Sequence, residues 1–212
     1  MSTVANIFSG VEARVWSDGT SIGSSTEPSQ SEFFQWMKET YDWLTAICAE
    51  MGSELGRTIG SITTVDGTGS YSDFASDMYA PYNFGWVLKT NERNRIDLCT
   101  EDELLERDPS AENEPDKFYV DGSNNVVLLD TPDDAYTVEI PYWQIQSLPT
   151  ATTDTIPFLG LFDNVIIDSL VLKTQNRDEY DLGFELKWFQ FIKERAERVI
   201  YLRKNPNASV GL

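Results

Sequence analysis

Thirty-five carboxylates, two thiols and no imidazole are the groups from which this 212-residue chain could build chemistry. Without histidine there is no Ser-His-Asp or Cys-His nucleophile and no His-ligated zinc. Two carboxylates could cleave a glycoside, one as acid and the other as base or nucleophile, but no motif selects a pair among so many. Cys48 and Cys99 stand apart with no C-x-x-C spacing and read as buried, reduced thiols. Asp121-Gly-Ser-Asn-Asn125 sets oxygens at alternate positions, as a calcium loop does. Val126 stands where that loop needs glycine, and no glutamate closes it, so a tight turn is expected. Gly67-Thr-Gly69 is a fragment of a dinucleotide fingerprint that opens no helix, and no phosphate-binding loop follows. The reading is no enzyme, no cofactor and no metal.

Charge narrows the partners. The formal net charge is −19, which opposes phosphate backbones and argues against a reader of nucleic acid. The charge is uneven. Residues 173–212 hold eight bases and six acids, a net of +2, while residues 1–172 hold eight bases and twenty-nine acids, a net of −21. With 41% apolar residues and six Trp, the chain has the material for a core. Its first ten residues lack the basic and apolar regions of a signal peptide. Residues 158–172, the longest apolar stretch, are interrupted and short of the roughly 20 needed to span a bilayer. No membrane is expected, and the protein is expected to stay in a cytosol.

Three blocks must position these residues. The first, 1–56, holds a weak amphipathic helix over 3–16, expected to break at Gly10, and a Gly/Ser/Thr-rich connector over 17–30. A capping box, Ser29-Gln-Ser-Glu32, then opens a helix with Phe34, Met37, Tyr41, Leu44, Cys48 and Met51 on one face, and Gly52 and Gly56 as stop signals. The second, 57–150, switches to a period of two. Short strands are expected at 60–65, 84–89, 95–99, 118–120 and 126–129, and at the alternating Tyr136, Val138 and Ile140, where Pro141 ends the ladder or sits at an edge. Inside it, 101–116 is an acidic loop with eight carboxylates, its Thr100 cap favouring one helical turn. The third, 151–204, is helical again. Pro157 is placed to open a helix apolar all round over 158–172, buried on every side. A final helix over about 179–204 carries Tyr180, Phe184, Trp188, Phe191, Ile192, Val199 and Leu202. Residues 205–212 form an extended tail past Pro206. The fold class is α+β: a helical bundle of N- and C-terminal helices with an inserted antiparallel β-meander or small sandwich.

The order of these parts resembles a known family. Asp116 to Gly122, then Val126-Val-Leu-Leu-Asp-Thr-Pro-Asp-Asp-Ala-Tyr-Thr-Val-Glu-Ile-Pro-Tyr142, is similar to the insert pattern of head–tail adaptor (head-completion or connector) proteins of tailed bacteriophages. Asp130 stands where the first proline of that pattern often lies. Gly67-Thr-Gly-Ser-Tyr71 resembles the opening of the insert, and Leu148 to Val165 its return to the bundle. The resemblance runs from about 29 to 202.

The resemblance implies a structural virion protein of the neck, assembled in the host bacterial cytoplasm. It implies a homo-oligomeric ring, a dodecamer on the portal protein, that extends the DNA channel and offers a surface to tail, nozzle or tail-terminator proteins. DNA would pass through without specific binding. Carried over by position, the portal-binding candidates are Lys187, Trp188, Phe191, Arg195, Arg198, Arg203, Lys204 and Leu212. The acidic candidates for the lumen or tail-facing surface are Glu101, Asp102, Glu103, Glu106, Asp108, Glu112, Glu114 and Asp116. The alternatives are a tail-completion or terminator protein and, from another class, an acidic DNA-mimic inhibitor.

Overall fold

The fold is described from a computed structural model of the chain that covers all residues except 73, 91, 109–110, 178–181 and 206–212. Tyr180 and Leu212 therefore lie outside the described residues, as does the side chain of Phe184. The chain forms two compact units: Met1–Gly56 with Ile145–Leu212, and Arg57–Gln144.

The first unit is helical. Helix α1, Val4–Val15, starts at Thr3, whose N–H donates to Asn6 Oδ1 at 2.9 Å. It runs unbroken through Gly10, contrary to the expected break. Glycine is there for closeness: a Cβ would lie 2.5 Å from Ile167 Cδ1. Helix α2, Gln30–Glu50, opens on the expected capping box, with the Ser29 N–H donating to Glu32 Oε2 at 2.7 Å. Its buried stripe leads with Phe33 rather than Phe34, which is half-buried and stacks on Phe8 instead. The stripe then continues through Met37, Tyr41, Leu44 and Cys48. At its end Gly52 (φ 58) takes the left-handed conformation, its N–H reaching the Ala49 carbonyl and that of Ser53 the Cys48 carbonyl. Those are the two hydrogen bonds of a Schellman stop.

Pro157 opens a 3-10 turn, Phe158–Gly160, and not the long helix expected of it. Leu159 (φ 59) and Gly160 (φ 73) turn left-handed, which halts helical propagation, so α4 begins only at Asp163. The helix before it in sequence, α3 (Glu101–Leu105), lies in the second unit. Helix α4, Asp163–Gln175, buries Val165, Ile166, Ile167, Leu170 and Leu172 as an all-round apolar helix should. Helix α5, Leu182–Lys204, packs through Ile192, Ala196 and Ile200.

The second unit is a curled, mixed sheet. Its strands are β1 (Arg57–Thr63), β2 (Ser70–Tyr71), β3 (Met78–Pro81), β4 (Phe84–Leu88), β5 (Arg93–Leu98), β6 (Lys117–Val120), β7 (Val126–Leu128) and β8 (Thr137–Gln144). Their order is β1-β8-β4-β5-β6-β7-β2, with β3 also on β8. The α+β class with helices at both termini is as expected. Among the named strands of the described residues, β5 and β6 pair in parallel, because the chain leaves β5, runs through the acidic arm and returns in the same direction. That arm includes the one-turn helix α3, Glu101–Leu105. Val87, Ile96, Phe118, Val126, Leu128, Val138 and Ile140 fill the core of this unit.

Pro141 neither ends β8 nor lies at its edge; the strand continues to Gln144. The Pro141 carbonyl accepts from the Tyr82 N–H at 2.8 Å. In a strand, a residue's N and C=O point to the same side. The missing donor therefore falls between the stretch that pairs with β4 (137–139) and the stretch that pairs with β3 (142–144). What proline gives up there is the return bond to Tyr82, while the Tyr82 N–H stays paired.

Candidate functional site

In the helical unit the sequence candidates gather on α5. Lys187, Arg198 and Arg203 are exposed, Phe191 is half in solvent at 47%, and Trp188 packs edge-on against Phe191 at 5.4 Å. Lys204 is exposed, and its ammonium donates to the Met51 carbonyl at the end of α2. A cation there suits the negative helix C-terminus.

Arg195 is turned to another task. It binds Asp168, a carboxylate in the middle of the apolar α4, which is 7% exposed and accepts from Arg14 of α1 as well. A buried carboxylate needs such partners, because an unpaired one would cost several kcal/mol. Three helices are thereby joined through a single side chain. Beside this joint, Thr40, Trp43, Ser169, Leu172, Phe189 and Ile192 line a groove of about 240 Å³, with the Trp43 and Phe189 rings 4.8 Å apart. The Lys173–Glu39 ion pair borders it.

In the β unit the acidic candidates sit on the arm between β5 and β6. Thr100 caps α3 as expected: its Oγ1 accepts from the Glu103 N–H at 3.3 Å, and its own N–H donates to Glu103 Oε2 at 2.9 Å. Lys117 Nζ reaches Glu103 Oε1 at 2.8 Å. The lysine first, then the Thr100 N–H, hold the Glu103 carboxyl below its ordinary range. Burial pushes Glu114 up, but the bonds from Lys89 and Asn94 outweigh it, and its carboxyl too ends lower. Glu101, Asp102, Glu106, Glu112 and Asp116 are exposed, as is Asp108.

The same unit carries a feature that the sequence reading missed. On the outer face of the sheet the Arg57 guanidinium lies over the Tyr82 ring (4.6 Å), that of Arg95 over Phe84 (4.4 Å) and that of Arg93 over Trp86 (3.9 Å). The three rings stack edge-to-face in turn, Tyr82 on Phe84 at 4.9 Å and Phe84 on Trp86 at 5.2 Å. Alternation carried the signal: Phe84-x-Trp86 and Arg93-x-Arg95 each place two residues on one face, and Trp86 stands opposite Arg95.

Burial pushes the Cys48 thiol up to about 12 and raises that of Cys99, which keeps both protonated and poorly nucleophilic. Asp121 accepts from the N–H groups of Ser123 (2.8 Å) and Asn125 (3.0 Å) and from the Asn125 side chain (2.8 Å), making the expected tight turn. Among the described residues no three His, Cys, Asp or Glu gather as metal ligands, and no helix is long and apolar enough to cross a membrane.

The family model described as SU10 adaptor protein matches residues 9–206. No curated protein matches the chain.

Proposed function

This chain belongs to the SU10 adaptor protein family, and we propose that it serves as a head-to-tail adaptor ring docked on the portal of a tailed bacteriophage. Membership makes it a structural adaptor of a phage particle; the ring, the docking end and the channel are our reading. The observation that carries the reading is α5. It sets Lys187, Phe191, Arg198 and Arg203 in solvent while Arg195 ties the same helix to buried Asp168. A helix held from behind presents its basic and aromatic groups without a large ordering cost, and that lowers the free-energy penalty of docking. Those bases suit an acidic portal surface. Glu101, Asp102, Glu106 and the other exposed acids suit a wall or rim past which DNA slides, because they repel phosphate. The tail or nozzle protein would meet the end of the ring away from the portal.

Sedimentation of the full chain with isolated portal rings tests this. A dodecameric complex is expected. Reversing Arg198 and Arg203 to Glu should weaken it at least about tenfold with unchanged thermal stability. Failure of the native chain to bind portal, or tight binding of it to duplex DNA at low salt, overturns the reading.

A further inference from the structure

We propose that the arginine–aromatic face of the β unit is where one copy of this chain receives the start of the acidic arm, residues 101–106, of a second copy. The inference deepens the adaptor reading by naming the contact that joins neighbours in the ring, and it rests on that reading.

Residues 57–144 hold six bases and eighteen acids, a net of −12, yet three of the six bases, Arg57, Arg93 and Arg95, share one face of the sheet. Copies that each carry −19 repel one another. They associate only where a positive patch of one meets a negative patch of the next. Arginine, tryptophan, tyrosine and phenylalanine are also the residues most enriched in the energetic centres of protein contacts.

The arginines are pre-arranged for this task. Each guanidinium sits over a ring, no more than 4.6 Å from its centroid, and less freedom remains for it to lose when a carboxylate arrives. Arg93 gives one bond to Glu139 at 3.3 Å and Arg95 one to Asp97 at 2.7 Å. A guanidinium has five N–H donors, so both retain donors for a partner. Arg93 is 51% and Arg95 60% exposed. Ile59, 55% exposed on the neighbouring row, adds apolar area.

The arm supplies the complement. Glu101, Asp102 and Glu106 lie on or next to α3, exposed, with no ion pair among the described residues. Lys117 holds Glu103, and Lys89 holds Glu114, which ties the arm to its own sheet and keeps the three outward acids in place. Face and arm are different patches, so the contact is head-to-tail and repeats from copy to copy until a ring closes. Single-stranded nucleic acid is the poorer occupant. It binds by stacking bases on open ring faces, and here guanidinium groups cover those faces within a unit of net −12.

Two variants of the full chain test the contact: face-reversed, Arg93→Glu with Arg95→Glu, and arm-reversed, Glu101→Arg with Asp102→Arg and Glu106→Arg. Circular dichroism and melting first establish that both fold. Self-association is then followed by sedimentation at low salt, free and on portal rings. Each variant alone should associate at least about tenfold more weakly than the native chain. An equal mixture should recover the native assembly, since every contact in an alternating ring again joins opposite charges. Assembly of either variant alone at native strength, or a mixture that fails to recover, overturns the proposal. So does a native chain that stays monomeric both free and on the portal. Binding of single-stranded DNA by the native chain that the face-reversed variant loses reassigns the face to nucleic acid and overturns it as well. If both variants form intact rings on the portal, this contact falls and the adaptor reading stands. Recovery by the mixture in a protein that ignores portal leaves the contact standing and removes the adaptor reading.

Discussion

Asp168 of α4 and Arg195 of α5 form an ion pair in which the carboxylate is 8% exposed and the guanidinium-bearing side chain 40%. With Arg14 on the other oxygen, it is a joint between three helices. The two arginines can recover water when the acid is removed; the space around the acid cannot. Asp168→Asn should therefore cost about 1–3 kcal/mol, below the full penalty for breaking a buried pair. Chemical denaturation measures it, and limited proteolysis should show cleavage within α5 rising first.

Gly85 is a position where no side chain fits. A Cβ there would meet the Glu139 carbonyl oxygen at 2.5 Å across the β4–β8 pairing, and backbone cannot step aside as a flexible side chain can. Gly85→Ala should destabilise by about 1–3 kcal/mol. Gly122→Ala, with nothing within 4 Å of the added carbon, should stay within about 0.5 kcal/mol. Thermal or urea melts of the pair separate the crowding from the loss of glycine itself.

The thiols should be silent in the folded protein. Burial holds Cys48 at about 12 and Cys99 above its ordinary value, while the thiolate is the reacting form. An aromatic disulfide reagent at pH 8 should label neither quickly, and both after denaturation. Rapid labelling of native Cys48 contradicts the packing of α2.

Acid should weaken the arm's anchor. The folded Glu103 carboxyl titrates below its ordinary 4.5, chiefly through Lys117. A depressed folded value means the stabilisation is fully present above the unfolded pKa and is lost as pH falls through the folded one. Glu103→Gln should lower the melting temperature at pH 7. The difference should shrink below pH 4.5 and vanish once the acid is protonated in both states. A difference that persists in strong acid places the effect outside this ion pair.

Local signals were legible, and distant ones were not. The box at Ser29 and Glu32, the cap at Thr100 and the alternation over Tyr136 to Ile140 act over three or four residues, and each marks its element. Asp168 reads in sequence as an interruption of an apolar run, because its partner Arg14 lies 154 residues away. Gly10 and Pro141 break rules of propensity for reasons that only the neighbours supply: Ile167 pressed against one, the junction between the β4 and β3 pairings beside the other. Of the candidate site, the exposure of Arg198 and Arg203 followed from the charge pattern. That the strand arginines would lie over aromatic rings did not, since alternation fixes a face and says nothing of what sits there.

The helical unit is sewn from both ends of the chain around a continuous β unit, and this orders events on the ribosome. The β unit emerges whole and can fold while synthesis continues. Helices α1 and α2 emerge before it, yet their buried faces wait for α4 and α5, which pack against them, to be made. Until then they present an uncovered apolar surface, which chaperones and proteases recognise. A chain that stops short of α5 leaves Asp168 without Arg195 and that surface open.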